Sequence, residues 1–211
     1  MKRLLPLFGL AASLPLFLLA AAHYPGGNDR DPVAPGFRFT ENYVSALFQP
    51  LAINGMENAA RPYAVPAILL LGVSMAYMFW AVSRTTEARG TRKTIEIFGI
   101  GTAVYTVLGV NTPMHDLLVV IAAVFYAIAA LAMLRLLHGA QRGWAVALGV
   151  LSLGCLAALA AMRHAGFYPA LAPITEWTLF ALAALWLAGV YYARTAPAVP
   201  ASAAKDSGAP R

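Results

Sequence analysis

The sequence predicts an all-α, polytopic membrane bundle of six transmembrane helices, and three observations carry that prediction. Apolar runs recur six times between residues 4 and 193. The Lys and Arg residues gather at every second connection between those runs. The composition is also far more apolar than a soluble core requires: of 211 residues, 60% are hydrophobic and 11% charged, with mean hydropathy +0.67. A span needs roughly 20 apolar residues to cross about 30 Å of hydrocarbon, so the chain has room for about six and little else. Every backbone amide in lipid must be satisfied inside its own helix or a closed barrel, and unbroken apolar runs fit helices rather than alternating strands. One membrane domain over residues 1–194 follows.

The first span is expected over Leu4 to Ala22. Lys2 and Arg3, the apolar core and Ala20, Ala21 and Ala22 also fit a cleavable signal peptide, which would leave five spans starting near His23. The run is long for a signal core, and retention as a span is the preferred reading. The second span is placed over Tyr63 to Val82. The third, Ile95 to Val110, is short and starts beside Glu96, so it is expected to tilt or to begin inside the basic stretch before it. The fourth, fifth and sixth run over Leu117 to Leu137, Trp144 to Met162 and Glu176 to Ala193. Residues 195–211, rich in Ala, Pro and Ser, read as a disordered cytoplasmic tail. No internal repeat of the kind that marks many transporters is visible.

Orientation follows from the loops. Lys2 and Arg3, then Arg84, Arg89, Arg92 and Lys93, then Arg135 and Arg142, then Arg194 all fall on one side of a six-span chain. Basic residues mark the cytoplasmic side, which puts both termini there. The formal charge of +6 is therefore a matter of membrane orientation; the cations are scattered at helix ends, and no nucleic-acid partner is expected. The single cysteine, Cys155, can form no intramolecular disulfide and reads as packing.

The same count makes residues 23–62 an extracytoplasmic loop between helices 1 and 2. At about forty residues it is far longer than a connection requires, and its Pro, Gly, Asn and aromatic content predicts an ordered cap. Pro25, Gly26 and Gly27 mark a turn. Thr40 to Phe48 is expected as a short helix with Thr40 at its N-cap, placing Glu41 and Ser45 one turn apart on one face. Two more elements open toward this side. Asn111-Thr112-Pro113-Met114-His115-Asp116 enters the fourth span and Pro173-Ile174-Thr175-Glu176-Trp177 the sixth, each with an early Pro and an acid expected in the first turn. Helix capping explains both; yet ionisable groups at the edge of the apolar zone are costly without partners. His23, Glu41, Ser45, Asn111, His115, Asp116, His164 and Glu176 thus form a candidate polar patch. No two histidines have the i, i+4 spacing that puts a ligand pair on one helix face, so no metal is assigned and the cofactor stays unknown.

The strings HYPGG, PGFRFTENYVSAL, NTPMHDLL and PITEW resemble the bacterial and archaeal integral membrane family known as domain of unknown function 998. More distantly they are similar to the group containing FGF receptor activating protein, the DRAM modulators and Sfk-type proteins. The resemblance implies a multi-pass protein of a bacterial or archaeal cell membrane with a polar extracytoplasmic patch, and no established reaction. In size and in a Ser, an Asp and His residues near one face, the chain also looks like membrane hydrolases such as the alkaline ceramidases, whose zinc-bound water attacks an amide or ester. Their His-x-x-x-His pair is absent: His115, His138 and His164 stand alone, and His138 falls on the cytoplasmic side.

Three functions fit. The first is recognition of a membrane-lipid headgroup or a partner protein through the outer loop and patch. The second is a metal-dependent lipid-modifying hydrolase using Glu41, Ser45, His115, Asp116 and Glu176. The third is a small transporter, against which stands the lack of charge deep in the spans.

Overall fold

The computed structural model describes residues 2–110, 112–138 and 142–196, in which six long α-helices are linked by short turns and one folded loop. They are α1 (Leu5–His23), α2 (Arg61–Ser83), α3 (Arg89–Gly109), α4 (His115–His138), α5 (Gly143–His164) and α6 (Ala172–Arg194). Three short 3-10 segments, Lys2–Leu4, Val44–Phe48 and Pro169–Leu171, complete the described helical structure. All six predicted helices are present, most of them a turn or less longer than their apolar cores. The exception is α3, which starts at Arg89, six residues before its apolar run, because the basic stretch is itself helical. Five of the six helices are long and apolar enough to cross a membrane; α3, with Arg89, Arg92, Lys93 and Glu96 in its first turns, is the one outside that class.

The chain packs as a ring. Helix α2 touches α3, α3 touches α4, α4 touches α5, α5 touches α6, and α6 returns to α2, while α1 lies against α2. Because each helix runs antiparallel to the next, the connections divide between two ends. At one end the arginines fasten onto α6. Arg3 donates to the Tyr192 carbonyl and to Thr195 Oγ1 (3.2 Å), Arg194 donates to the Thr85 carbonyl (3.0 Å) and hydroxyl (3.1 Å), and Arg142 reaches the Ala193 carbonyl (3.4 Å). Cations there satisfy carbonyls that a helix C-terminus leaves open. Arg84 pairs with Glu96 at 3.0 Å beside them.

The half of the bundle next to this arginine end is tightly filled. Met78, Phe79, Ile95, Met133, Leu137, Trp186 and Leu187 are fully buried in one cluster. Glycines make the close approach possible: a Cβ on Gly149 would lie 2.7 Å from the Trp186 ring, and one on Gly99 would overlap the Phe79 ring. The Trp186 indole donates to the Ala145 carbonyl at 2.7 Å, satisfying its one polar atom.

The other end carries residues 24–60 as a folded cap. Three buried asparagines organise it. Asn28 accepts from the Arg30 and Asp31 amides and donates to Glu41; Asn42 accepts from the Arg38 amide and donates to the Gly27 carbonyl; Asn58 donates to the Ala46 and Gln49 carbonyls and accepts from the Ala60 amide. Each amide side chain does the work of a missing backbone partner, which lets an irregular segment be buried. Gly26 (φ 139°) and Gly27 (φ 84°) form the predicted turn, where a Cβ on Gly27 would meet the Asn54 amide at 2.6 Å. The expected helix over Thr40 to Phe48 is replaced. The Arg38 carbonyl accepts from the amides of Glu41 and Asn42 in a turn, and only Val44–Phe48 coils, as a 3-10 segment with no side-chain cap. Glu41 and Ser45 accordingly do not share a helix face. Asn111 and residues 197–211, most of the predicted tail, lie outside the described residues.

Candidate functional site

Beneath the cap the helices do not meet. Four of them turn one stripe each toward a common cavity, and the stripes keep helical spacing: Ile68, Leu71, Gly72 and Met75 on α2; Thr102, Ala103, Thr106 and Val110 on α3; His115, Val119, Ala122, Ala123 and Tyr126 on α4; Glu176, Leu179, Phe180 and Ala183 on α6. Leu156 and Leu159 of α5 complete the wall, and Val44, Ser45 and Phe48 of the cap form the roof. The volume is about 160 Å³. A cavity of this order has room for a small hydrocarbon such as benzene.

Polar groups enter this cavity at its two extremes and, through Thr102 and Thr106, along its α3 wall. At the roof stand Ser45, His115 and Glu176. Glu176 is nine-tenths buried, and its Oε2 accepts from the Val44 amide at 2.7 Å, so a carboxylate on α6 closes the first turn of the cap segment. Its Oε1 takes no hydrogen bond among the described residues. Helix α6 begins at Ala172 rather than next to the acid, so Glu176 sits in the second turn and does not act as the first-turn cap expected from PITEW. His115 opens α4 and its Nδ1 lies 2.7 Å from the Gly109 carbonyl. A carbonyl can only accept, so Nδ1 carries the proton and Nε2 is the ring's remaining polar atom. At the floor, the Tyr126 hydroxyl and Ser152 Oγ pair at 2.5 Å.

Residues around the roof hold it in place. Trp177, next to Glu176, donates its indole N–H to the Asn42 carbonyl at 3.1 Å and packs edge-on against Phe17, Phe37 and Phe39. Arg163, at the end of α5, lies over the Tyr43 ring at 4.8 Å and reaches Asp116 at 3.7 Å. Burial pushes the Tyr24 and Tyr43 phenols above their ordinary value, so both are neutral hydroxyls at any physiological pH. The Tyr24 hydroxyl accepts from the Ile53 amide at 3.1 Å.

The structure therefore divides the predicted patch. Ser45, His115 and Glu176 come together at one cavity. His23 is exposed at the end of α1, with Nδ1 on the Leu19 carbonyl and its ring on Tyr63. Glu41 is half-buried and engaged by Asn28 and Arg38 inside the cap. Asp116 points outward, with 87% of its side chain exposed, and His164 is exposed as well. Cys155 shares its helix with the wall, and its thiol lies 3.5 Å from the Thr175 carbonyl. Tyr126, Ser152, Thr102, Thr106 and Arg163 were not singled out from the sequence; they sit inside apolar or basic segments where only helix rotation distinguishes them.

Chemically, each of the three roof groups can meet a polar atom of a ligand. None of Ser45, His115 and Glu176 is hydrogen-bonded to another, so no nucleophile and base are paired. Among the described residues, no three His, Cys, Asp or Glu side chains come close enough to hold a metal ion. No known family, curated protein or solved structure matches the chain.

Proposed function

We propose that this chain is a six-span protein of a bacterial or archaeal cell membrane that recognises a membrane lipid from the extracytoplasmic side. The lipid's polar end meets Ser45, His115 and Glu176 under the cap, and hydrocarbon enters the cavity between α2, α3, α4 and α6. The observation that carries this reading is an apolar cavity with polar groups concentrated at its roof, which is the form of a site for an amphiphile. The arginine end supports a cytoplasmic location for both termini, since the positive-inside rule then holds for every short connection. For α3 to cross, its basic first turns must lie at that interface and its apolar remainder inside, packed between α2 and α4. The resemblance to domain of unknown function 998 belongs to the same proposal, as does retention of the first helix.

Recognition is preferred to hydrolysis because the roof groups are not paired for nucleophilic attack, and to partner binding because the polar groups face a cavity rather than a surface. Native mass spectrometry of the full-length protein from mild detergent tests it. A stoichiometric lipid adduct is expected, lost when the wall residue Ala123 is enlarged in Ala123→Phe. Absence of any adduct, or its persistence in the filled variant, overturns the reading. An intact Met1 in the same spectrum supports six spans, and a chain beginning near His23 overturns them.

A further inference from the structure

The roof of the cavity restricts which polar group a ligand can present. This inference rests on the lipid reading above and names the ligand class. Each roof group offers a polar atom to a ligand. Glu176 presents Oε1, with Oε2 already held by Val44. His115 presents Nε2, since Nδ1 is committed to the Gly109 carbonyl. Ser45 Oγ makes no other hydrogen bond among the described residues and can serve either way. A phosphate or carboxylate placed here would bring its oxygens against the carboxyl of a nine-tenths-buried acid. Arg163, whose guanidinium lies over the Tyr43 ring and 3.7 Å from Asp116, does not line the cavity.

Size sets the other limit. From Glu176 to Ala183 is about 10 Å of helix, and from His115 to Tyr126 about 16 Å, at roughly 1.5 Å per residue. A volume of about 160 Å³ over such a depth is narrow and admits part of one hydrocarbon chain, not two side by side. The floor pair, Tyr126 and Ser152, satisfies itself and asks for no polar tail.

We infer that the cavity takes a single-chain lipid whose polar end is a hydrogen-bond donor, a long-chain alcohol or amine, with that end on Glu176 and His115 and the chain between α2, α3, α4 and α6. An anionic headgroup is disfavoured beside the buried Glu176 carboxyl.

Three eight-carbon probes of one chain and different heads, octylamine, octanol and octanoate, test this on the purified full-length protein in lipid nanodiscs. The readout is the shift in thermal unfolding, since a ligand that binds only the folded state raises Tm with its concentration. Octylamine and octanol raise the Tm of the wild type, and octanoate does not. Glu176→Gln keeps an oxygen for the Val44 amide but loses the charge, and weakens octylamine about tenfold while octanol changes little. Ala123→Phe, which fills the wall without touching the roof, abolishes both shifts. If octanoate stabilises as well as the amine, or if Glu176→Gln binds all three alike, the donor-head inference is wrong while lipid recognition stands. If no probe shifts the wild type and Ala123→Phe behaves identically, both fall.

Discussion

The two halves of this bundle are built from similar residues and packed to opposite ends. Next to the arginine end, glycines admit aromatic rings, and Trp186 and Phe79 fill the centre in continuous contact. Under the cap, the same helices carry Ala, Val, Leu and Thr toward the axis and leave a cavity of about 160 Å³. Helices in lipid gain little from hiding apolar surface, because the surrounding chains are equally apolar; close packing and satisfied polar atoms hold them together. A half that gives up packing must be held by something else. Here the cap supplies it, through three buried asparagines, the Val44 amide on Glu176 and the Trp177 indole on Asn42. The filled half keeps the fold, and the capped half is free to bind.

That contrast is most directly broken at Trp186. Trp186→Ala removes the largest fully buried side chain and its hydrogen bond to the Ala145 carbonyl, at a cost of about 3 kcal/mol or more. Equilibrium unfolding in mixed micelles should show it as loss of the whole bundle. Ala123→Phe, an enlargement in the capped half, should leave stability unchanged or raise it, because it fills space already present. Equal losses from the two changes would mean the halves do not differ. Asn58→Ala is the next largest. It strips three hydrogen bonds from the cap and leaves buried backbone groups unpaired, about 1–3 kcal/mol. Hydrogen exchange should rise across residues 44–60 while α2 to α6 keep their protection; uniform acceleration would show the cap and bundle unfolding as one. Trp177→Phe keeps the aromatic contacts and loses one indole N–H bond, about 1 kcal/mol, read the same way.

The filled half was easier to read from the sequence than the capped half. Apolar runs locate α1, α2, α4, α5 and α6 because length in lipid is a one-dimensional property, and charge alternation assigned Arg3, Arg84, Arg142 and Arg194 to one end. The start of α3 at Arg89 lies inside the basic stretch, one of two alternatives the sequence left open, because hydropathy reports apolar residues and not helix. Which face of each helix turns inward was not legible: residues such as Thr106 and Tyr126 sit in runs that are apolar on every side, so no periodic signal picks them out. The cap was foreseen as ordered, but its wiring rests on Asn28, Asn42 and Asn58, whose partners lie up to 15 residues away. Of the polar patch, Ser45, His115 and Glu176 meet because the roof crosses the starts of α4 and α6. Glu41 was drawn into the cap by Asn28.

Asp116 sharpens this division with the smallest effect. It neighbours His115 in sequence, so on proximity alone it belongs with the roof. Helix geometry separates adjacent residues by about 100°, and Asp116 faces out, its one close cation among the described residues being Arg163 at 3.7 Å. An exposed pair at that distance is worth less than about 1 kcal/mol and is screened by salt. Asp116→Asn should therefore change neither stability nor the binding of any chain probe, whereas His115→Ala, one residue earlier, should weaken octanol and octylamine measurably. If Asp116→Asn instead matched His115→Ala, the polar face of α4 would extend to the surface, and binding would belong to the whole outer end rather than to the cavity beneath it.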